Sequence, residues 1–180
     1  MVVADNAGVK ATSAPSSITI DNPPRGTDVQ AGNGGATPGL LESGDWIRLT
    51  WTETIAPASV LAGWNGTSQA VRVRVTNAGA NDQIDFYNAA GTTRLNLVAT
   101  PADLKLGGDF VTTDSDFNAT ISQSGASITV TLGTQISGGA LNTAVAGTMT
   151  WKPSATATDV TGHASTTTQV TETGGSDLDF

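Results

Sequence analysis

The chain has no cysteine, one histidine and three lysines in 180 residues. Without cysteine there is no disulfide framework and no thiolate nucleophile, and the redox compartment stays open. A single histidine cannot supply the three or four N or S ligands of an ordinary zinc site. His163, in "TGHAST", therefore reads as a surface-loop residue. A Ser-His-Asp triad would lack the G-x-S-x-G elbow that presents its serine. No cofactor, metal or enzymatic activity is expected from this composition. Eight basic against sixteen acidic residues give a formal net charge of −8. That opposes nucleic-acid binding, which draws its affinity from phosphate neutralisation by Lys and Arg. It also opposes an anionic membrane surface. No run approaches the roughly eighteen apolar residues of a membrane span, so no membrane insertion is expected. The opening "MVVADNAGVKATSAP" has neither a basic n-region nor an apolar h-region, so no signal peptide is expected. The initiating methionine is read as the start of a small gene product without a secretion route.

What the chain does have is alternation. Ile47, Leu49 and Trp51 share one side of an extended segment, with Trp46, Arg48 and Thr50 on the other. Val71, Val73 and Val75 alternate with Arg72 and Arg74. Ile84 and Phe86 alternate with Asp85 and Tyr87, and Leu95 and Leu97 with Arg94 and Asn96. Further sets are Phe117, Ala119 and Ile121, then Ile128, Val130 and Leu132, then Met149 and Trp151, with Val170 in a late Thr-rich run. "NAGAND", "NAAGT" and "QSGAS" punctuate the gaps. Seven or more short half-buried strands with regular turn signals predict an all-β antiparallel sandwich or barrel. Ala-Pro at 56–57 ends one strand, and the following turn is expected to tuck Val60, Leu61 and Trp64 against it. Residues 100–114 and 135–147 read as long connections or irregular edges.

Residues 1–21 stand apart as an extended arm or docking strand, leaving a body at 22–180. The arm is small and polar, but "SSITID" places Ile18 and Ile20 on one face just before a double proline. A strand of that kind leaves backbone groups for a neighbouring sheet edge to satisfy, so Ile18 and Ile20 are candidate interaction residues. The alternative is that they fold back as an edge strand of their own body. Trp51 is expected in the core, whereas Trp46 and Tyr87, on outer faces, are the candidates for meeting a partner, a host-surface glycan included.

Other constellations read as structure. Asp114, Asp116 and Asn118 begin a D-x-D-x-N loop, but Ala119 stands at the glycine position and Gly125 at the final glutamate, so the EF-hand reading fails. Glu53 continues the Trp51 face and is expected to cap the "PASV" turn. Arg72 and Arg74 are expected opposite Asp85 and Tyr87 as cross-strand pairs.

The order "GDWIRLTWTETIAPASVLAGWNG", "VRVRVTNAGANDQIDFYNAAGTTRLNL", "ASITVTLGT" and "GTMTWKPSATATDVTGHASTTTQVTETGGSDLDF" resembles bacterial immunoglobulin-like domains. Such domains occur in tandem on actinobacterial surface proteins, and similar ones on virion proteins of tailed phages. The "E.I.P.S" corner at 53–59 and "W.PSATATD..G" at 151–162 are the most specific parts, and the likeness spans about residues 22–180. It implies an Ig-like β-sandwich that displays or joins things, without catalysis, and it transfers no functional residue. "SITIDNPPRGTDVQ" resembles the seam between two such domains, yet only sixteen residues precede it. The resemblance implies a multicopy structural protein on a virion surface, most readily a capsid decoration protein bound to a capsid protein, another virion protein or a neighbouring subunit. An adhesive or spacer module of a bacterial cell surface and a carbohydrate-binding sandwich are the alternatives.

Overall fold

Turn chemistry decides where the alternating runs reverse. Ser124 pairs with Ser127 across the two-residue turn Gly125–Ala126. Gly125 has φ +57°, the left-handed conformation such tight hairpin turns demand. The computed structural model describes residues 2–17, 20–174, 178 and 180. Its strands are β1 (Val2–Ala4), β2 (Lys10–Thr12), β3 (Gly26–Gly32), β4 (Trp46–Trp51), β5 (Gln69–Thr76), β6 (Gln83–Asn88), β7 (Leu104–Lys105), β8 (Ser115–Ser124), β9 (Ser127–Ser137), β10 (Thr150–Trp151) and β11 (Val170–Thr171). Helix among the described residues is confined to α1 (Pro57–Val60), so none is long and apolar enough to cross a membrane.

Nine strands form one sheet in the order β11-β10-β7-β6-β5-β8-β9-β4-β3, and every neighbouring pair is antiparallel. The all-β antiparallel architecture follows the expectation. The ladder is one continuous strip rather than two separately bonded sheets, and it curls until β3 and β11 meet and nearly close it.

Side chains join that seam. The Thr173 backbone N–H donates to Asp28 Oδ1 at 3.1 Å, and Gln30 Nε2 donates to the Thr173 carbonyl at 2.8 Å. Gly26 sits at a register shift in β3, where a Cβ would lie 2.7–2.8 Å from Pro153, Val170 and Trp151. Only hydrogen lets the strand pass that close.

The inner face carries the expected core: Ile47, Leu49, Trp51, Val73, Val75, Ile84, Phe86, Leu95, Ile128, Val130, Leu132, Met149 and Trp151 are all buried. Trp51 and Trp151 meet edge-to-face at 4.7 Å. Their indole N–H groups donate to Ser165 Oγ and the Leu97 carbonyl, so neither ring leaves a buried donor unpaired. Val60, at the end of α1, and Trp64 just beyond it are buried as expected.

Several local expectations are corrected. Residues 94–97 form no strand, although Leu95 and Leu97 are buried. The "irregular" 100–114 stretch contains β7 and buries Leu104, Leu106, Phe110 and Val111. Glu53 does not cap α1, whose N-cap residue Ala56 has no side-chain cap.

The arm is not simply extended. Val2–Ala4 pairs with Lys10–Thr12 as an exposed hairpin. Asp5 holds its turn, Oδ1 accepting the N–H groups of Ala7 and Val9 at 2.9 Å each, and Gly8 adopts φ +79°. Ile18 lies outside the described residues. Ile20 is 78% exposed, and residues 20–21 form no strand.

Candidate functional site

The outward aromatics fall on separate strands. Trp46, at the start of β4, lies across Gly32 of β3, where even a Cβ would come within 2.3 Å of its ring. The Arg48 guanidinium stands 5.0 Å from the ring centroid. Half-buried between these neighbours, Trp46 offers only part of its surface. Tyr87, on β6, carries Arg74 at 4.8 Å from its ring. Four inter-strand steps separate β6 from β4, roughly 19 Å along the sheet. The two aromatics do not form one platform.

The charges around Tyr87 pair in a pattern the alternation only half foretold. The register does put Arg72 opposite Tyr87 and Arg74 opposite Asp85. Arg74 nevertheless turns to β8, with Nε and Nη2 donating to the two oxygens of Asp116 at 2.8 and 3.0 Å. That bidentate bond raises the arginine pKa further. Asp85 instead accepts from Arg94 Nε at 2.6 Å. Burial pushes the Asp85 carboxyl up, and Arg94 opposes the shift. Asp116 is thus neutralised on a strand, and Asp114 Oδ1 accepts the Asn77 N–H, so "DSDFN" is sheet surface rather than a cation loop.

Three buried aspartates organise the loops, and sequence alternation singled out none of them. Asp45 accepts the N–H groups of Gly34 and Gly35 on Oδ1 and that of Glu42 on Oδ2. Asp82 accepts Ala78 N–H on Oδ1 and both Phe110 and Val111 N–H on Oδ2. In each, both carboxylate oxygens are used, as burial demands.

Asp159, 1% exposed, is built differently. Its Oδ1 accepts the N–H groups of Thr161 and His163 and the Thr161 hydroxyl, at 2.7–2.9 Å. Burial works to raise this pKa. Hydrogen bonds from the Thr161 hydroxyl and from the His163, Thr161 and Gly162 N–H groups prevail and hold it at about 2. The other oxygen, Oδ2, receives no hydrogen bond from any described residue. It faces His163 Nδ1 at 3.3 Å, and that nitrogen stands 3.5 Å from Asp21 Oδ2. No family model, curated protein or solved structure matches the chain.

The cluster joins two distant parts of the chain. Asp159 and His163 flank a tight turn whose backbone closes through Asp159 N–H to the His163 carbonyl at 3.0 Å. Asp21 arrives from the segment below the hairpin. That segment is docked from Asp21 onward: Pro24 is buried, its carbonyl accepts Thr166 N–H, and Arg25 and Thr52 exchange bonds. A cleft lined by Ile20, Asp21, Pro23, Arg25, Thr52 and Glu53 runs beside it. The sequence signal was the D-x-T-x-H spacing of residues 159–163; its partner 138 residues earlier carried none.

Proposed function

We propose that this protein is a non-enzymatic structural protein that docks on an assembled surface through its N-terminal hairpin, as a virion decoration protein with an Ig-like body does. The observation that carries the reading is the hairpin itself. Among the described residues β1 and β2 pair only as a two-stranded unit, and the hairpin exposes Val2 and Val3 on β1 and Val9 in its turn by more than half. A lone two-stranded hairpin is marginal in water, and apolar side chains on a free-edged ribbon are what a neighbouring sheet edge or apolar groove covers. The body opposes self-association of its own edges, since β3 and β11 meet and their seam is bridged by Asp28, Gln30 and Thr173. A body whose two edge strands are bridged to each other and an arm with two free edges is a division of labour suited to multicopy display. The partner is a capsid or other virion protein, or the neighbouring subunit.

Mass spectrometry of purified virions, with host cell envelopes as the comparison, tests the location. The chain is expected among the multicopy virion proteins, and its presence in envelopes alone overturns the reading. Deleting residues 2–16 is expected to abolish binding to the particle while the body stays folded. A truncated protein that still binds removes the hairpin from the interface.

A further inference from the structure

We infer that Asp21, Asp159 and His163 form a binding site for a divalent cation of the zinc class, which fastens the base of the arm to the body. Asp159 is the decisive residue. Of the three buried loop aspartates, Asp45 and Asp82 use both oxygens to hold backbone N–H groups, whereas Asp159 leaves Oδ2 without a hydrogen bond among the described residues. A buried carboxylate oxygen without a donor is costly unless a positive partner meets it. Oδ2 points into the space shared with His163 and Asp21.

Two of the three separations match a coordination shell. One ligand atom from each of Asp21, Asp159 and His163 can be chosen so that all lie within 4.8 Å of one another. His163 Nδ1 is 3.3 Å from Asp159 Oδ2 and 3.5 Å from Asp21 Oδ2. Metal–ligand bonds of about 2.0–2.2 Å at tetrahedral angles place neighbouring donor atoms roughly 3.3–3.6 Å apart. Two carboxylates and an imidazole, with a fourth position open, are a donor set for zinc. Calcium and magnesium take oxygen shells, and the ring nitrogen disfavours them.

Proton counting reaches the same place independently. Thr161 Oγ1 lies 2.8 Å from Asp21 Oδ2, 2.7 Å from Asp159 Oδ1 and 2.9 Å from His163 Nδ1. A hydroxyl has one proton, so it donates to only one of the two carboxylates at a time. The other faces a lone pair at hydrogen-bond distance. A cation drawing the acidic oxygens toward itself removes that conflict. The turn carrying Asp159 and His163 is already closed by its own backbone bonds, so two of the three ligands are fixed in advance.

The test is calorimetric titration of the chelator-stripped full chain with ZnCl2 at neutral pH, followed by CaCl2 and MgCl2. One Zn2+ per chain is expected, with affinity at least tenfold above that for Ca2+ or Mg2+, and with a rise in melting temperature that EDTA reverses. His163→Ala, at a half-exposed position that does not threaten folding, is expected to weaken binding at least tenfold. Asp21→Ala should act similarly. Asp159→Asn keeps an oxygen for the loop N–H groups, so it should remain folded and lose binding. The inference is overturned if Zn2+ fails to bind stoichiometrically at 100-micromolar concentrations, if Ca2+ binds more tightly, or if His163→Ala binds Zn2+ like the parent. A His163→Ala effect confined to acid stability, with no Zn2+ uptake by the parent, would assign the cluster to a protonated histidine and also overturn it.

Discussion

Val2 and Val73 are the same residue in the same kind of element, a strand with an antiparallel neighbour, yet Val73 is fully buried and Val2 is 59% exposed. The hairpin has the ladder without the layer. Its turn is properly made, with Asp5 holding two N–H groups and Gly8 in the left-handed region. The body has both ladder and layer: its strands bury side chains in one apolar cluster that includes the Trp51–Trp151 pair. Hydrogen bonds alone contribute little net stability, because water offers the same bonds to the open chain. Burial of apolar area, at about 25 cal/mol per Å², is what separates the two regions.

The comparison is broken most severely at the tryptophan pair. Trp51→Ala is expected to cost the body about 3–5 kcal/mol, measured as a shift in the denaturant midpoint. A midpoint that hardly moves would place the body's stability elsewhere. Gly26→Ala comes next. Its added methyl must displace Pro153, Val170 or Trp151 at the seam, at a cost of about 1–3 kcal/mol by overpacking. An unchanged melting temperature would show that the seam yields freely.

A gentler effect is expected from pH, in metal-free protein. The Asp159 carboxyl is lowered from 3.8 to about 2, so its contribution is fully present above about pH 4 and is lost as the pH falls through 2. Asp103 shifts in the same direction. Burial works to raise it, and Thr100 and Lys152 more than compensate. Urea midpoints at pH 5, 3 and 2 should fall, and Asp159→Asn should flatten the fall; parallel slopes would mean the carboxyl is not held down. The smallest effect should come from the hairpin. Removing residues 2–16 is expected to change body stability by no more than about 0.5 kcal/mol, since their side chains bury so little. A large loss would show that the hairpin is part of the body after all.

Legibility followed locality. The two-residue period marked most of the body strands, because a strand's inward and outward faces are written in adjacent residues. It faltered at "TPADLKLGGDF", where Leu104, Leu106 and Phe110 are buried from a stretch broken by glycines and a short β7. Asp45, Asp82 and Asp159 were invisible as a class, since an aspartate in a loop looks the same whether water or a ring of N–H groups surrounds it. Arg74 was placed on the correct face beside Asp85 and Tyr87, but its salt-bridge partner, Asp116 on the other neighbouring strand, was not foreseen. Alternation gives the face of a side chain, and the order of strands across the sheet gives its neighbour.

The sequence by itself determined that the chain is all-β and antiparallel, and that Trp51 and Trp151 are core. Those properties rest on side-chain period, turn residues and composition, which act over a few positions. The tertiary structure alone decided that the strip curls until β3 meets β11, that Gly26 must lack a side chain, and that Asp21 reaches His163 across more than a hundred residues. Contacts of that span depend on which strands become neighbours, and no local pattern encodes the choice.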